Sequence, residues 1–104
     1  MLGQIRIYTI NKGAMDDFLK VFQEVVIPLH ERVGLPILAT WVNRSQNEFI
    51  WVRGFENAED RERKLKAFRE SPQMGDIHNK VATKIAKMEV REVEGAFAPS
   101  GARS

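Results

Sequence analysis

The chain has 104 residues, of which 43% are hydrophobic and 29% are charged, and it contains no cysteine. This composition predicts one small folded domain and excludes disulfides, thiolate metal sites and cysteine nucleophiles. Sixteen Lys and Arg residues against fourteen Asp and Glu leave a formal charge of only +2, and the two signs are interleaved. Because a nucleic-acid-binding protein would show a concentrated basic face, we do not expect nucleic acid as a partner.

The first residues, MLGQIRIYT, contain no apolar run of signal length. No segment approaches the roughly 20 consecutive apolar residues that a membrane-spanning helix requires. We therefore expect a cytoplasmic protein without a membrane span.

The first part of the chain predicts a strand and then a helix. QIRIYTI, residues 4–10, alternates and is rich in β-branched residues, as strands are. From Met15, apolar residues recur at spacings of three and four, which predicts an amphipathic helix. Its apolar positions are Phe18, Val21, Phe22, Val25 and Val26. Because Pro28 removes a backbone donor and Gly34 favours a stop, we expect the helix to end within residues 28–33.

The middle of the chain predicts an antiparallel hairpin. PILATWV, residues 36–42, and EFIWVRGF, residues 48–55, both have strand character. The polar loop NRSQN between them has a length that suits a hairpin connection.

A second helical region and a last strand complete the pattern. Asn57 is placed to cap a helix, with Asp60 three residues later as its reciprocal partner. Pro72 ends that helix, and a weaker helical pattern covers residues 74–86. KMEVREV, residues 87–93, alternates again and predicts the fourth strand.

The predicted order, β-α-β-β-α-β, is that of the ferredoxin-like fold, an α+β architecture with a four-stranded antiparallel sheet. We assign residues 1–94 to this domain and the small, turn-prone residues 95–104 to a flexible tail. Two helices can cover only one face of such a sheet, so the other face needs a different cover.

Alternation divides the strand residues between the two faces of the sheet. An aliphatic set, which we expect beneath the helices, consists of Ile5, Ile7, Ile50 and Val52. The set that we expect on the uncovered face consists of Arg6, Tyr8, Phe49, Trp51, Arg53 and Phe55, with Trp41 added from the second strand. Because soluble monomers rarely expose so large an apolar patch, we expect a second copy of the chain, a small molecule between two sheets, or both to cover it.

Candidate sites follow from that face. Arginines among aromatic residues can stack and can reach a carboxylate, so Arg6 and Arg53 are the candidate anion-binding groups. The candidate ligand-binding residues are Arg6, Tyr8, Trp41, Trp51, Arg53 and His78. The candidate dimer-interface residues are Tyr8, Phe49, Trp51 and Phe55. In the alternative interpretation both arginines pair with a glutamate such as Glu48 or Glu89 and only fix the interface.

The sequence offers little for metal or cofactor chemistry. His30 and His78 lack the spacing of metal ligands, and no nucleotide motif is present, so we predict neither a metal nor a cofactor. A haem on His78 would need only that histidine, but no further polar cluster accompanies it. No catalytic triad is recognisable, which leaves catalysis an open question.

Three segments carry a resemblance to a known family: IRIYTINKGAMDDFLKVF, IPLHERVG and WVRGFENAEDRERKLKAF. Over residues 4–93 the chain resembles the NIPSNAP family, a branch of the dimeric α+β barrel superfamily. The resemblance implies two ferredoxin-like subunits packed sheet to sheet as a barrel. Where the family often has a tryptophan, this chain has Met74 followed by Gly75, so a pocket wall built there would be smaller and more pliable.

The resemblance leaves the biochemical role unsettled. We expect a homodimeric barrel that binds a small aromatic or acidic organic molecule or serves as an interaction module. The alternative is a cofactor-independent monooxygenase-like enzyme of the same superfamily. Such an enzyme would need a base in an apolar pocket, which Tyr8, Trp51, Arg53 and His78 could supply.

Overall fold

The computed structural model describes residues 1–97, which form a four-stranded antiparallel sheet with helices packed on one side. The strands are Leu2–Ile10 (β1), Ile37–Asn43 (β2), Glu48–Phe55 (β3) and Ile85–Glu94 (β4). Their order across the sheet is β2-β3-β1-β4, which confirms the predicted ferredoxin-like fold. Most of the predicted tail, residues 95–104, lies outside the described residues.

One long helical rod follows β1. Its parts are Met15–Val21 (α1), the π-helical turn Phe22–Val26 and Ile27–Val33 (α2). In the π-helical turn the Ile27 N–H bonds to the carbonyl of Phe22, five residues back. Pro28 lies in the first turn of α2 and does not end the rod, because a missing backbone donor is best tolerated near a helix start. Gly34 ends it with a φ of 72°, a left-handed conformation that glycine adopts without steric cost.

Two further α-helices of the described chain are Ala58–Arg69 (α3) and Met74–Lys80 (α4). Asn57 caps α3, since its Oδ1 accepts a hydrogen bond from the Asp60 N–H at 2.9 Å. The Asp60 carboxylate in turn accepts from the Glu56 N–H at 2.9 Å, one residue earlier than a reciprocal capping pair would place it. This backbone bond, and then Lys64, lower the pKa of Asp60. No helix within residues 1–97 is long and apolar enough to cross a bilayer.

The helices cover the face of the sheet that we predicted to be open. We call it the covered face. Its aromatic residues are at most 5% exposed: Tyr8, Phe49, Trp51 and Phe55. Phe22 of the rod packs against two of them, with its ring centre 4.7 Å from that of Phe49 and 5.0 Å from that of Trp51. The predicted dimer interface is therefore wrong, because these side chains are already buried within a single chain.

The opposite face, which we call the open face, carries the aliphatic set. At its centre Ile5 pairs with Val52 and Ile7 pairs with Ile50. Gly3 and Gly54 lie opposite each other at one end, and the space that their side chains would take is filled by Leu38, Met1 and Val93. Exposed apolar residues extend the patch towards both edges: Leu38 at 48%, Trp41 at 55% and Val93 at 41%. An apolar surface thus remains uncovered in the single chain.

Candidate functional site

A cavity of about 200 Å³ lies between the covered face and the helices. Strands β1 and β3 supply its polar wall, with Arg6, Tyr8, Trp51 and Arg53. The apolar wall comes from the rod, α3 and the segment around α4, and includes Phe22, Val26, Phe68, Met74, Ile77 and Val81. An engineered apolar cavity of about 150 Å³ binds benzene, so this space can hold one aromatic ring with a small substituent.

Arg53 is the most deeply buried charged group of the cavity wall, with only 5% of the residue exposed. Its guanidinium carbon lies 5.1 Å from the Trp51 ring centre and 5.3 Å from that of Phe68, so two aromatic rings flank the cation. Burial, and next the charge of Arg6, lower the pKa of Arg53 to about 10. The group therefore keeps its positive charge at neutral pH.

His30 fixes one end of the Arg53 guanidinium group. Its Nδ1 lies 2.7 Å from the carbonyl oxygen of Val26, which can only accept, so this nitrogen carries the proton. The other nitrogen, Nε2, is then an acceptor for Arg53 Nη1 at 3.3 Å. Burial lowers the pKa of His30 to about 4, although the bond to Val26 acts in the opposite direction. His30 is thus a neutral acceptor beside a permanent cation.

Gln4 joins the two arginines of the cavity. Its Oε1 accepts from Arg53 Nε at 2.9 Å and also from Nη2 of the same group. The same oxygen accepts from Arg6 Nη1 at 3.2 Å. On its other side, Gln4 Nε2 donates to the Glu92 carboxylate at 3.0 Å. The Glu92 carboxylate is therefore connected to the arginines through the neutral amide of Gln4.

Arg6 is half-buried and lies at the other side of the cavity wall. Its Nε donates to the Tyr8 hydroxyl at 2.8 Å, and its Nη2 lies 3.0 Å from the sulfur of Met88. Neither arginine pairs with Glu48 or Glu89, so that alternative interpretation is wrong. Their strand positions place both glutamates on the open face, away from the cavity.

The described lining of the cavity offers hydrogen-bond donors but no carboxylate. No Asp or Glu is among the lining residues found within residues 1–97. In the same part of the chain, Trp51 Nε1 is buried and has no hydrogen-bond partner. A buried donor without an acceptor costs about 1–3 kcal/mol, which makes it a natural partner for a ligand oxygen.

The cavity belongs to a segment that matches a known family. The NIPSNAP family model matches residues 3–94. This chain belongs to the NIPSNAP family. The resemblance seen in its three sequence segments is thereby confirmed. No curated protein matches the chain.

Several solved structures share this NIPSNAP fold. An uncharacterized NIPSNAP domain protein from Burkholderia xenovorans has a TM-score of 0.85 at 20% identity, covering 96% of this chain and 100% of its own. A NIPSNAP family protein from Agrobacterium tumefaciens gives 0.85 at 21% identity, covering 94% and 96%. A putative antibiotic biosynthesis monooxygenase from Bordetella bronchiseptica gives 0.74 at 17% identity, covering 92% and 97%. At these identities the likeness is one of fold.

Most of the predicted ligand-binding residues meet in one place in this NIPSNAP chain. The cavity lining includes Arg6, Tyr8, Trp51, Arg53 and His78. Trp41 does not join them, because its partner in the sheet, Ile50, belongs to the open face. The cavity also lies within one subunit, beneath the helices, and not between two sheets as we expected.

Sequence reasoning missed Gln4, His30 and Phe68 as parts of the site. The sequence held signals for two of them: Gln4 falls on the same strand face as Arg6, and His30 lies four residues after Val26 in an apolar series. Met74 does line the cavity, at the position where the sequence indicated a small and pliable wall.

Proposed function

We propose that this NIPSNAP protein is a homodimer that binds a small aromatic acid in the cavity beneath its helices. One observation carries the proposal: two arginines, Arg6 and Arg53, contribute to a cavity whose described lining contains no carboxylate. Buried charges are normally paired, so an arginine pair of this kind is a site for an anion supplied from outside.

The remaining lining favours an aromatic body for the ligand. Phe22, Trp51 and Phe68 present rings, and Met74 and Met88 bring flexible thioethers that adapt to the shape of a bound molecule. The volume of about 200 Å³ limits the body to roughly one ring. A benzoate-like or phenylacetate-like molecule combines this body with a single acid group.

Thermal denaturation with matched probes tests the ligand class. Benzoate and phenylacetate should raise the melting temperature in a concentration-dependent way, whereas benzamide and benzyl alcohol should not. Arg6→Met should abolish the shift, because it removes one of the two cations. Arg44→Met is the control, since that side chain is 64% exposed and pairs with Asp16 on the surface. Equal shifts with benzoate and benzamide would contradict the proposal.

The homodimer is supported by the open face. Its centre is aliphatic, and a two-fold axis through it would bury the same patch on both copies. Lys87, Glu89 and Arg91 alternate in sign along one edge of this face, opposite Thr9, Ile7 and Ile5. Antiparallel approach of two such edges brings opposite charges together in the register that places Lys87 of each copy opposite Glu89 of the other. Light scattering at micromolar concentration should give twice the chain mass, and a stable monomer would overturn this part of the proposal.

A cofactor-independent oxygenase is the second candidate. It is favoured by the likeness in fold to the putative antibiotic biosynthesis monooxygenase and by the Tyr8 hydroxyl beside Arg6 at the cavity. Such a reaction would convert a phenol to a quinone: the ring C–H opposite the hydroxyl becomes one carbonyl, the hydroxyl becomes the other, and one atom of O₂ enters the product while the other leaves as water. Oxygen uptake with one-ring phenols, lost in Tyr8→Phe, would favour the enzyme. No uptake, together with a ligand-induced melting shift, would favour binding alone.

A further inference from the structure

Gln4 occupies the place that a carboxylate usually takes beside arginine. The Nε–Nη2 edge of a guanidinium group is the fork on which a carboxylate binds with two parallel hydrogen bonds. In this chain one amide oxygen fills the fork of Arg53 and also accepts from Arg6. Gln4 itself is only 5% exposed. Its orientation is fixed, because the flipped amide would turn its NH₂ group against three guanidinium donors.

The amide holds the arginines in place without cancelling their charge. A glutamine oxygen accepts hydrogen bonds as a carboxylate oxygen does, but it carries no formal charge. The carboxylate of Glu92 lies on the far side of the Gln4 side chain, on an exposed residue. The lowered pKa of Arg53 agrees with this arrangement, because burial and the neighbouring charge of Arg6 outweigh the opposite effects of Tyr8 and Glu92.

The sum of these charges indicates the kind of anion that fits. Arg6 and Arg53 contribute two positive charges, and Glu92 contributes one negative charge through Gln4. One positive charge is left without a counter-charge at the cavity wall. A monoanion balances it, a neutral molecule does not, and a dianion brings one charge too many into an apolar space.

We propose that Gln4 sets the ligand class: by bridging Arg6 and Arg53 without neutralising them, it makes the cavity selective for aromatic monoanions over neutral and dianionic analogues. This inference rests on the proposed function. It assigns the selectivity to a residue that does not itself line the cavity but fixes the two arginines that do.

The test is an isosteric exchange, Gln4→Glu with Glu92→Gln, which keeps the net charge and the side-chain shapes. Glu at position 4 can still accept from both arginines, and Gln at position 92 can still donate to it. The exchange moves the negative charge from the exposed edge to the centre of the arginine pair. The control exchange, Gln23→Glu with Glu24→Gln, makes the same change in composition at two exposed positions of the rod.

Calorimetric titration at pH 8 uses benzoate, benzamide and phenyl phosphate, which is a dianion there. The wild type and the control exchange should bind benzoate in preference to both other probes. The Gln4–Glu92 exchange should weaken benzoate binding by roughly tenfold or more, because it moves the negative charge from the exposed edge, where water screens it, into direct contact with both arginines. It should also raise the melting temperature by several degrees without any ligand, because the arginines gain a counter-charge.

The outcomes separate this inference from the proposed function. If the Gln4–Glu92 exchange binds benzoate as tightly as the wild type, or does not raise the melting temperature, the role of Gln4 is refuted and the aromatic-acid site stands. If the wild type prefers phenyl phosphate, the charge argument is refuted. If the wild type binds none of the three probes, the proposed function fails and this inference fails with it.

Discussion

The covered face and the open face of the sheet differ in the shape of their side chains more than in polarity. The covered face combines large rings with two arginines, and a cavity remains among them. The open face combines branched aliphatic side chains with the facing glycines Gly3 and Gly54, beside which Leu38, Met1 and Val93 pack. Large rings fill the uneven space beneath helices, whereas branched aliphatic side chains suit packing against a second sheet. The covered face is therefore matched to its helices, and the open face suits the second copy that we propose.

Neighbouring residues of β3 test this contrast most strongly. Trp51→Ala should lower the free energy of unfolding by about 3–5 kcal/mol, because it empties the centre of the covered face. Val52→Ala, one residue later on the open face, should cost only about 1 kcal/mol in a dilute, monomeric sample. Urea denaturation of both variants provides the comparison. Similar losses would show that the two faces contribute equally to the fold of one chain.

Lowering the pH should reduce the free energy of unfolding, because it favours protonation of His30. The unfolded chain protonates this histidine near its ordinary pKa of 6.5, and the folded chain only near 4. Between these values the unfolded state binds more protons, so the stabilisation is complete above pH 6.5 and is lost as the pH falls towards 4. The loss should reach at most about 3 kcal/mol.

Denaturation of His30→Gln over the same pH range should show a flatter profile than the wild type. His78→Gln is the matched control, because that side chain is exposed and should leave the profile unchanged. A wild-type profile that is already flat between pH 6.5 and 4 would count against a neutral, buried His30.

Two neighbouring residues of β2 test the open face in the same way. Trp41 lies on the open face and Val42 on the covered side, and both are exposed in the single chain, at 55% and 39%. Trp41→Lys should weaken the proposed dimer by about 2 kcal/mol, or roughly thirtyfold, because buried tryptophans dominate interfaces. Val42→Lys should leave dimerisation unchanged. Sedimentation over a dilution series measures both, and equal dissociation of the two variants would argue against the open face as the interface.

The smallest effect that we predict concerns α3, which holds Phe68 against Arg53. Asn57→Ala should destabilise the fold by about 1 kcal/mol, because it removes the acceptor of the Asp60 N–H. Dimerisation should not change, since the cap is remote from the open face. Thermal denaturation against Asn79→Ala, a change at an exposed position of α4, measures the cost. An unchanged melting temperature would show that the cap contributes nothing.

The order of the elements was predictable because each has local signals. Strand alternation, the cap at Asn57 and the stop at Gly34 depend on residues that are close in sequence, and all three are confirmed. The choice of face was not predictable in the same way. Both alternating sets are apolar enough to be buried, and we assigned the aliphatic one to the helices on residue type alone. The aromatic residues of the rod, Phe18 and Phe22, were the available signal for the aromatic set.

The site was only partly predictable for a related reason. The arginine and aromatic residues of β1 and β3 were recognisable as candidates by residue type. The residues that they contact, however, depend on strand register and on helix packing. Gln4 meets Arg53 because the two are paired across antiparallel strands. His30 meets Arg53 because the rod crosses that point of the sheet. Neither contact follows from the periodicity of a single segment.

The π-helical turn in the rod determines which side of the rod the later residues present to the sheet. Phe18, Phe22, Val26 and His30 are all buried, at a constant spacing of four. In a regular α-helix each such step would rotate the next side chain by about 40° away from the first. The wider π-helical turn absorbs this drift. If these residues formed a regular α-helix throughout, His30 would lie about 120° around the helix from Phe18, away from the sheet. The π-helical hydrogen bonding of this turn, more than the identity of its exposed residues, keeps the imidazole in register with the guanidinium group.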